Sequence, residues 1–204
     1  MRDDAELLEA WRSGDSSSGE ALFERHFDTL YRFFYNKTTA TQLDDLVQDT
    51  FAACLELRDP LKTPSGFRRY LLGIARNKLV DSYRAQGRVH VESLSAHDLG
   101  VTPIDAAERN QERRVLLRSL RRIPLEHQIL LELAYWEGLS DREMAEIHGC
   151  PIGTLKSRLR KARLVLRESI ALTLAQTQYD STVDSIEGWL ESMRKYDPRT
   201  RSPL

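Results

Sequence analysis

Apolar residues recur every three or four positions along most of this chain, the period of helices with one buried face. Leu7, Leu8 and Trp11 mark a short first helix that ends near Gly14. Phe23, Phe27, Leu30, Tyr31 and Phe34 form an aromatic stripe on a second, read as plain core. Leu43, Leu46, Val47, Phe51, Cys54 and Leu55 line a third. Residues 59–66 include Pro60 and Pro64 and read as a loop. Phe67, Leu71, Ile74 and Leu79 follow on a fourth helix that ends near Gly87. The helical period is lost over residues 89–107. It returns with Val115, Leu116 and Leu120, breaks at Ile123-Pro124, and resumes with Leu130, Leu133, Ala134 and Trp136. No alternating strand pattern and no hairpin dipeptide lies between apolar runs. The expected fold class is all-α: helical domains over residues 1–88 and 108–172, a flexible linker over 89–107, and an extension over 173–204.

Residues 139–163 read as helix, tight turn, helix. Ser140 and Glu143 form an S-x-x-E capping box, which sets where the first of the two starts. Gly149 and Pro151 break that helix, and Pro151 also suits the first turn of the next. In the second helix Ile152, Leu155, Leu159, Ala162 and Leu166 share one face. Lys156, Arg160, Arg163 and Arg167 share another. One face can bury itself and the other can meet phosphates, the layout of a helix-turn-helix whose second helix enters the major groove.

Charge adds a second contact to that picture. The formal net charge is only −1, yet the charge is segregated. Residues 152–167 carry six cations and no carboxylate, and residues 66–88 carry six cations against Asp81 alone. Residues 1–59 hold thirteen Asp/Glu against six Lys/Arg. Two basic surfaces suggest two contacts with one polyanion, and the acidic portion suits a protein partner. The chain of 204 residues has room for one large or two small domains. No apolar run is long enough to cross a membrane, and the N-terminus lacks a signal-peptide core. Cytoplasm is the expected compartment, without membrane insertion. Cys54 and Cys150 read as small buried groups and not as a disulfide. His26, His90, His97, His127 and His148 show no metal spacing with them. No nucleophile–base pair or phosphate loop stands out, so no catalytic residue, metal or cofactor is expected.

The chain resembles bacterial sigma factors of the extracytoplasmic-function type, the small two-domain branch of the sigma-70 family. Asp44-Asp45-Leu46-Val47-Gln48-Asp49-Thr50-Phe51 is similar to that family's region 2.2. Phe67-Arg68-Arg69-Tyr70-Leu71-Leu72-Gly73-Ile74-Ala75-Arg76-Asn77-Lys78-Leu79-Val80-Asp81 resembles regions 2.3 and 2.4. Residues 120–167 resemble region 4.2 and the segment before it, with Gly153-Thr154-Leu155-Lys156-Ser157-Arg158 standing for the family's G-T-V-K-S-R. Three motifs in this order span roughly residues 5–170. The resemblance implies a non-enzymatic factor that binds core RNA polymerase, recognises promoter −35 and −10 elements and promotes transcription initiation.

It also implies residue roles. Asp45, Leu46, Gln48 and Asp49 would meet polymerase. Lys62, Arg68, Arg69, Tyr70, Arg76, Asn77 and Arg84 would bind −10 DNA, for which an aromatic and an amide among cations suit unpaired bases. Gly153, Thr154, Lys156, Ser157, Arg158, Arg160 and Arg163 would bind the −35 element. Relatives usually carry Trp at the Tyr70 position, and many carry Ser-Glu where this chain has Pro151-Ile152, so a usual N-cap hydroxyl and a polar −35 contact are absent. The acidic linker residues Glu92, Asp98 and Asp105 either mimic nucleic-acid charge or merely solvate a tether. An anti-sigma factor is a further candidate partner. An operator-binding regulator and a DNA-free sigma mimic are the competing readings. Val183, Ile186, Trp189, Leu190 and Met193 share one helical face, which either extends the region 4 core or lies on region 2 or the linker.

Overall fold

A capping box opens the first helix: Asp3 N–H donates to Glu6 Oε2 at 3.0 Å, and Glu6 N–H donates to Asp3 Oδ1 at 2.9 Å. The computed structural model describes residues 2–56, 66–88, 90, 93–98, 110–177, 185 and 188–191. The first four helices are α1 (Asp4–Arg12), α2 (Ser16–Tyr35), α3 (Ala40–Glu56) and α4 (Gly66–Ala85). The second four are α5 (Gln111–Arg122), α6 (Leu125–Tyr135), α7 (Asp141–Ile147) and α8 (Ile152–Thr177). Among the described residues there is no strand, only one isolated bridge between Ser95 and Pro124.

In the N-terminal half α2 packs on α1, α3 and α4, and α3 packs on α4. Trp11 lies against Gly19, where a Cβ would collide with the indole. Phe33, Phe34, Leu30, Phe67, Leu71 and Leu72 fill this core, each no more than 2% exposed. The aromatic stripe is not wholly core. Phe23 is 37% exposed and contacts Phe27 and Phe51, with ring centroids 5.2 and 5.0 Å away. In the C-terminal half α8 is the central helix, touching α5, α6 and α7. It runs on to Thr177, beyond the boundary expected at 172. Leu155, Leu159, Ala162 and Leu166 are buried along it as the spacing predicts. Ile152 is 44% exposed, because a side chain on the first turn leans toward the helix N-terminus and overhangs the turn.

The two halves dock, with α4 against α7, and their buried apolar residues form one continuous cluster. Part of the expected linker is docked too. Leu125 N–H donates to Leu94 O at 2.8 Å, His97 N–H donates to Arg121 O at 2.9 Å, and Ala96 is fully buried. Asp98 stays exposed and accepts from Ser95 N–H and Oγ at 3.1 and 2.7 Å. Glu92, Asp105 and the rest of 99–107 lie outside the described residues. In the extension, Trp189 and Leu190 are 3% and 2% exposed, and Leu190 and Glu191 line a recess with Tyr135 and Arg163. That contact favours the region 4 alternative for the extension. Val183, Ile186 and Met193 lie outside the described residues.

The turn between α7 and α8 sets the angle of the basic helix. Gly149 has φ +58°, Gly149 N–H donates to Glu146 O at 3.3 Å, and Cys150 N–H donates to Ala145 O at 3.1 Å. This is a Schellman ending, which needs a left-handed residue just past the helix. Gly149→Ala meets no neighbour within 4 Å, so its cost is backbone strain alone, about 1 kcal/mol. Thermal unfolding should shift down by roughly 2–4 °C, and an unchanged midpoint would contradict the assignment.

Candidate nucleic-acid interface

The capping box expected at α7 is present: Ser140 N–H donates to Glu143 Oε2 at 2.9 Å, and Glu143 N–H donates to Ser140 Oγ at 3.4 Å. With the Schellman turn, it holds α8 so that the apolar side faces α6 and the cations face outward. Gly153, Thr154, Lys156, Ser157, Arg158, Arg160 and Arg163 are all exposed. The ties on this face are weak. Lys156 lies 3.6 Å from Asp141, Ser157 Oγ donates to Thr154 O at 2.8 Å, and Arg163 sits 5.7 Å from the centroid of the Tyr135 ring. All seven −35 candidates are therefore exposed, spread around α8 outside its buried stripe.

The α4 candidates are arranged differently. Arg68, Arg69 and Arg76 each meet a carboxylate from the C-terminal half. Arg68 binds Glu137, Arg69 Nη1 lies 2.6 Å from Glu146, and Arg76 Nη2 donates to Glu126 at 2.9 Å. Glu137 also accepts from Arg32 Nε at 3.2 Å. Tyr70 is half-buried against the core, whereas Asn77 and Arg84 are exposed. Lys62 lies outside the described residues. On α3, Asp45, Gln48 and Asp49 are exposed together beside Asp44. Leu46 departs from its expected role: it is 5% exposed and belongs to the protein's own core, so its side chain is not offered to a partner.

Sequence reasoning missed the groups that join the halves. Lys37, two residues past α2, is fully buried and bonded to Glu132 of α6. Gln128 Nε2 donates to Glu132 Oε1 at 2.8 Å and to Asn36 O at 3.3 Å, and Tyr83 OH donates to Lys37 O at 2.6 Å. Burial pushes the Lys37 ammonium below the lysine range although Glu132 opposes it, and pushes Glu132 up although Lys37 opposes it. Glu126 differs. Burial raises its pKa, but the His148 hydrogen bond and charge, with Arg76, outweigh burial and bring it down to about 2. His148 Nδ1 lies 2.7 Å from Glu126 Oε1. Among the described residues no group of three His, Cys, Asp or Glu could hold a metal, and no helix is long and apolar enough to cross a membrane. Cys54 and Cys150 are unpaired thiols, and burial pushes Cys54 up to about 12.

Comparison with known proteins matches both halves. A family model described as sigma-70 region 2 matches residues 22–89, and one described as sigma-70, region 4 matches residues 113–166. An ECF RNA polymerase sigma factor RpoE from Cereibacter sphaeroides is 30% identical over 171 residues, 81% of this chain and 93% of that protein. An ECF RNA polymerase sigma-E factor from Haemophilus influenzae is 25% identical over 179 residues, 82% of this chain and 95% of its own length. The sigma factor RpoE of Bartonella quintana, solved in complex with the anti-sigma factor NepR, superposes with a TM-score of 0.58 at 25% identity, over 75% of this chain and 96% of that one.

The Glu126 cluster makes a pH prediction. Because its folded pKa lies below the unfolded value of 4.5, its stabilising contribution is fully present above pH 4.5 and is lost as pH falls toward 2. Carboxyl NMR should show Glu126 titrating near 2, and Glu126→Gln should flatten the loss of stability across that interval. Titration near 4.5 would refute the coupling to His148 and Arg76.

Proposed function

The chain belongs to the extracytoplasmic-function sigma factors of the sigma-70 family, and we propose that it recruits core RNA polymerase through the acidic face of α3 and reads promoter DNA with α4 and α8. It directs transcription initiation in the bacterial cytoplasm and carries no catalytic residue of its own, since the polymerase performs nucleotide addition. The observation that carries this reading is the pairing, in one chain, of an open carboxylate-free recognition face on α8 with an exposed Asp45–Gln48–Asp49 patch on α3. Cations bring α8 to the phosphates, and Arg158 and Arg160 can bond base edges in the major groove. The carboxylates of Asp45 and Asp49 would repel DNA, which suits a polymerase surface instead. The −10 strand falls to Arg68, Arg69, Tyr70, Arg76, Asn77, Arg84 and Lys62, with the Tyr70 ring as the stacking face. Because a relative of known structure is held by an anti-sigma factor, a partner of that kind is proposed here as well.

In vitro transcription with core polymerase on a promoter library tests the reading, and no promoter-specific product would refute it. Charge reversal at Asp45 and Asp49 should abolish polymerase capture in gel filtration while the helical spectrum stays native. Unchanged capture would remove α3 as the docking face. Alanine at Lys156, Arg158 or Arg160 should weaken −35 duplex binding, by about 1–3 kcal/mol where a bidentate base contact is lost. A lost phosphate contact should instead lower the salt dependence by about one unit of slope.

A further inference from the structure

The leading edge of α8 carries no polar side-chain group. Pro151 precedes the helix, Ile152 is its first residue and Gly153 its second, and all three are exposed. The cations begin only at Lys156, on the second turn. Cα–Cβ bonds tilt toward a helix's N-terminus, so the Ile152 side chain projects forward, over a recess that it lines with Ala145, Cys150 and Pro151. It is 44% exposed, whereas Leu155, Leu159, Ala162 and Leu166 behind it are at most 5% exposed. A Cβ on Gly153 would meet nothing within 4 Å, so the backbone beside Ile152 is open to close approach.

In a helix-turn-helix the N-terminal residues of the second helix are the ones that reach base edges in the major groove. A branched hydrocarbon placed there makes no hydrogen bond to a base and gives nothing to a phosphate. Of the four bases only thymine presents a methyl group in that groove. We propose that Ile152 is a specificity-determining residue of the −35 contact, packing on the C5-methyl of a thymine. The assignment rests on the reading of α8 as the −35 helix. Discrimination has two parts. The thymine methyl is taken out of water against the isoleucine, whereas a cytosine or adenine amino group in the same place would be stripped of water with no acceptor to replace it. Lys156, Arg158 and Arg160 bring α8 to the duplex, and as donors they select acceptors. Ile152 adds a preference for a methyl, which no donor supplies.

The test uses the full-length chain with core polymerase, and a short duplex carrying the −35 element that this pair selects from a random library. Each thymine of the element, on either strand, is replaced in turn by deoxyuridine, which pairs identically and lacks only the methyl. Wild type should bind about fourfold more weakly at one thymine, the effect of a single buried methyl group. Ile152→Ala should bind the unmodified element more weakly by at least that factor and lose nothing further at that thymine, because both changes remove the same contact. Ile152→Val, which keeps a branched side chain, should retain the methyl effect. Position 152 is exposed and alanine favours helix, so the alanine variant keeps its fold. A wild type indifferent to every methyl overturns the assignment. So does a loss that persists in the alanine variant, which reports DNA stiffness instead, and so does a selected element of G·C pairs alone. Each of these outcomes leaves the promoter reading standing. A chain that selects no element with core polymerase refutes the promoter reading, and the assignment with it.

Discussion

Lys37 and Glu132 meet with no water between them, 95 residues apart in sequence, and the relation of the two halves turns on that pair. Around it Gln128 donates to Glu132 and to Asn36 O, and Tyr83 OH donates to Lys37 O, while Asn36 Nδ2 and Gln128 Oε1 are buried with no hydrogen-bond partner. Removing one partner would leave a buried charge alone, at a cost of about 3–5 kcal/mol. Two apolar residues of similar volume would often be equally stable, so stability alone does not explain the pair. The apolar residues of the two halves run together around the pair, which is therefore one polar contact within a continuous apolar cluster.

The same logic runs outward from the pair. Glu137, Glu126 and Glu146 continue the seam along α4, from a nearly buried bridge to a rim pair in which Glu146 is 45% exposed. A net charge of −1 hides this arrangement, because the basic surface of one half is neutralised by the acid of the other. Meanwhile α8 keeps its cations exposed by burying Leu155, Leu159, Ala162 and Leu166 and by its capped, Schellman-closed approach from α7. The six cations of α8 are exposed, whereas three of the five on α4 are tied to carboxylates of the other half.

Local chemistry was legible in the sequence; partnership at a distance was not. The Ser140–Glu143 box, the Gly149 turn and the apolar seam of α8 depend on residues within a turn or two of each other, and periodicity reports them directly. Lys37, Glu132 and Glu137 look like ordinary solvated residues until helices far apart in sequence come together, 105 positions for Arg32 and Glu137. Leu46 was legible as apolar, but whether an apolar side chain faces a partner or its own core is a tertiary fact. Residues 93–98 lack any helical period, and what docks them is a pair of backbone hydrogen bonds and a buried alanine, features that composition does not register. Phe23 and Ile152 followed the period yet stand at the edge of their helices' cover.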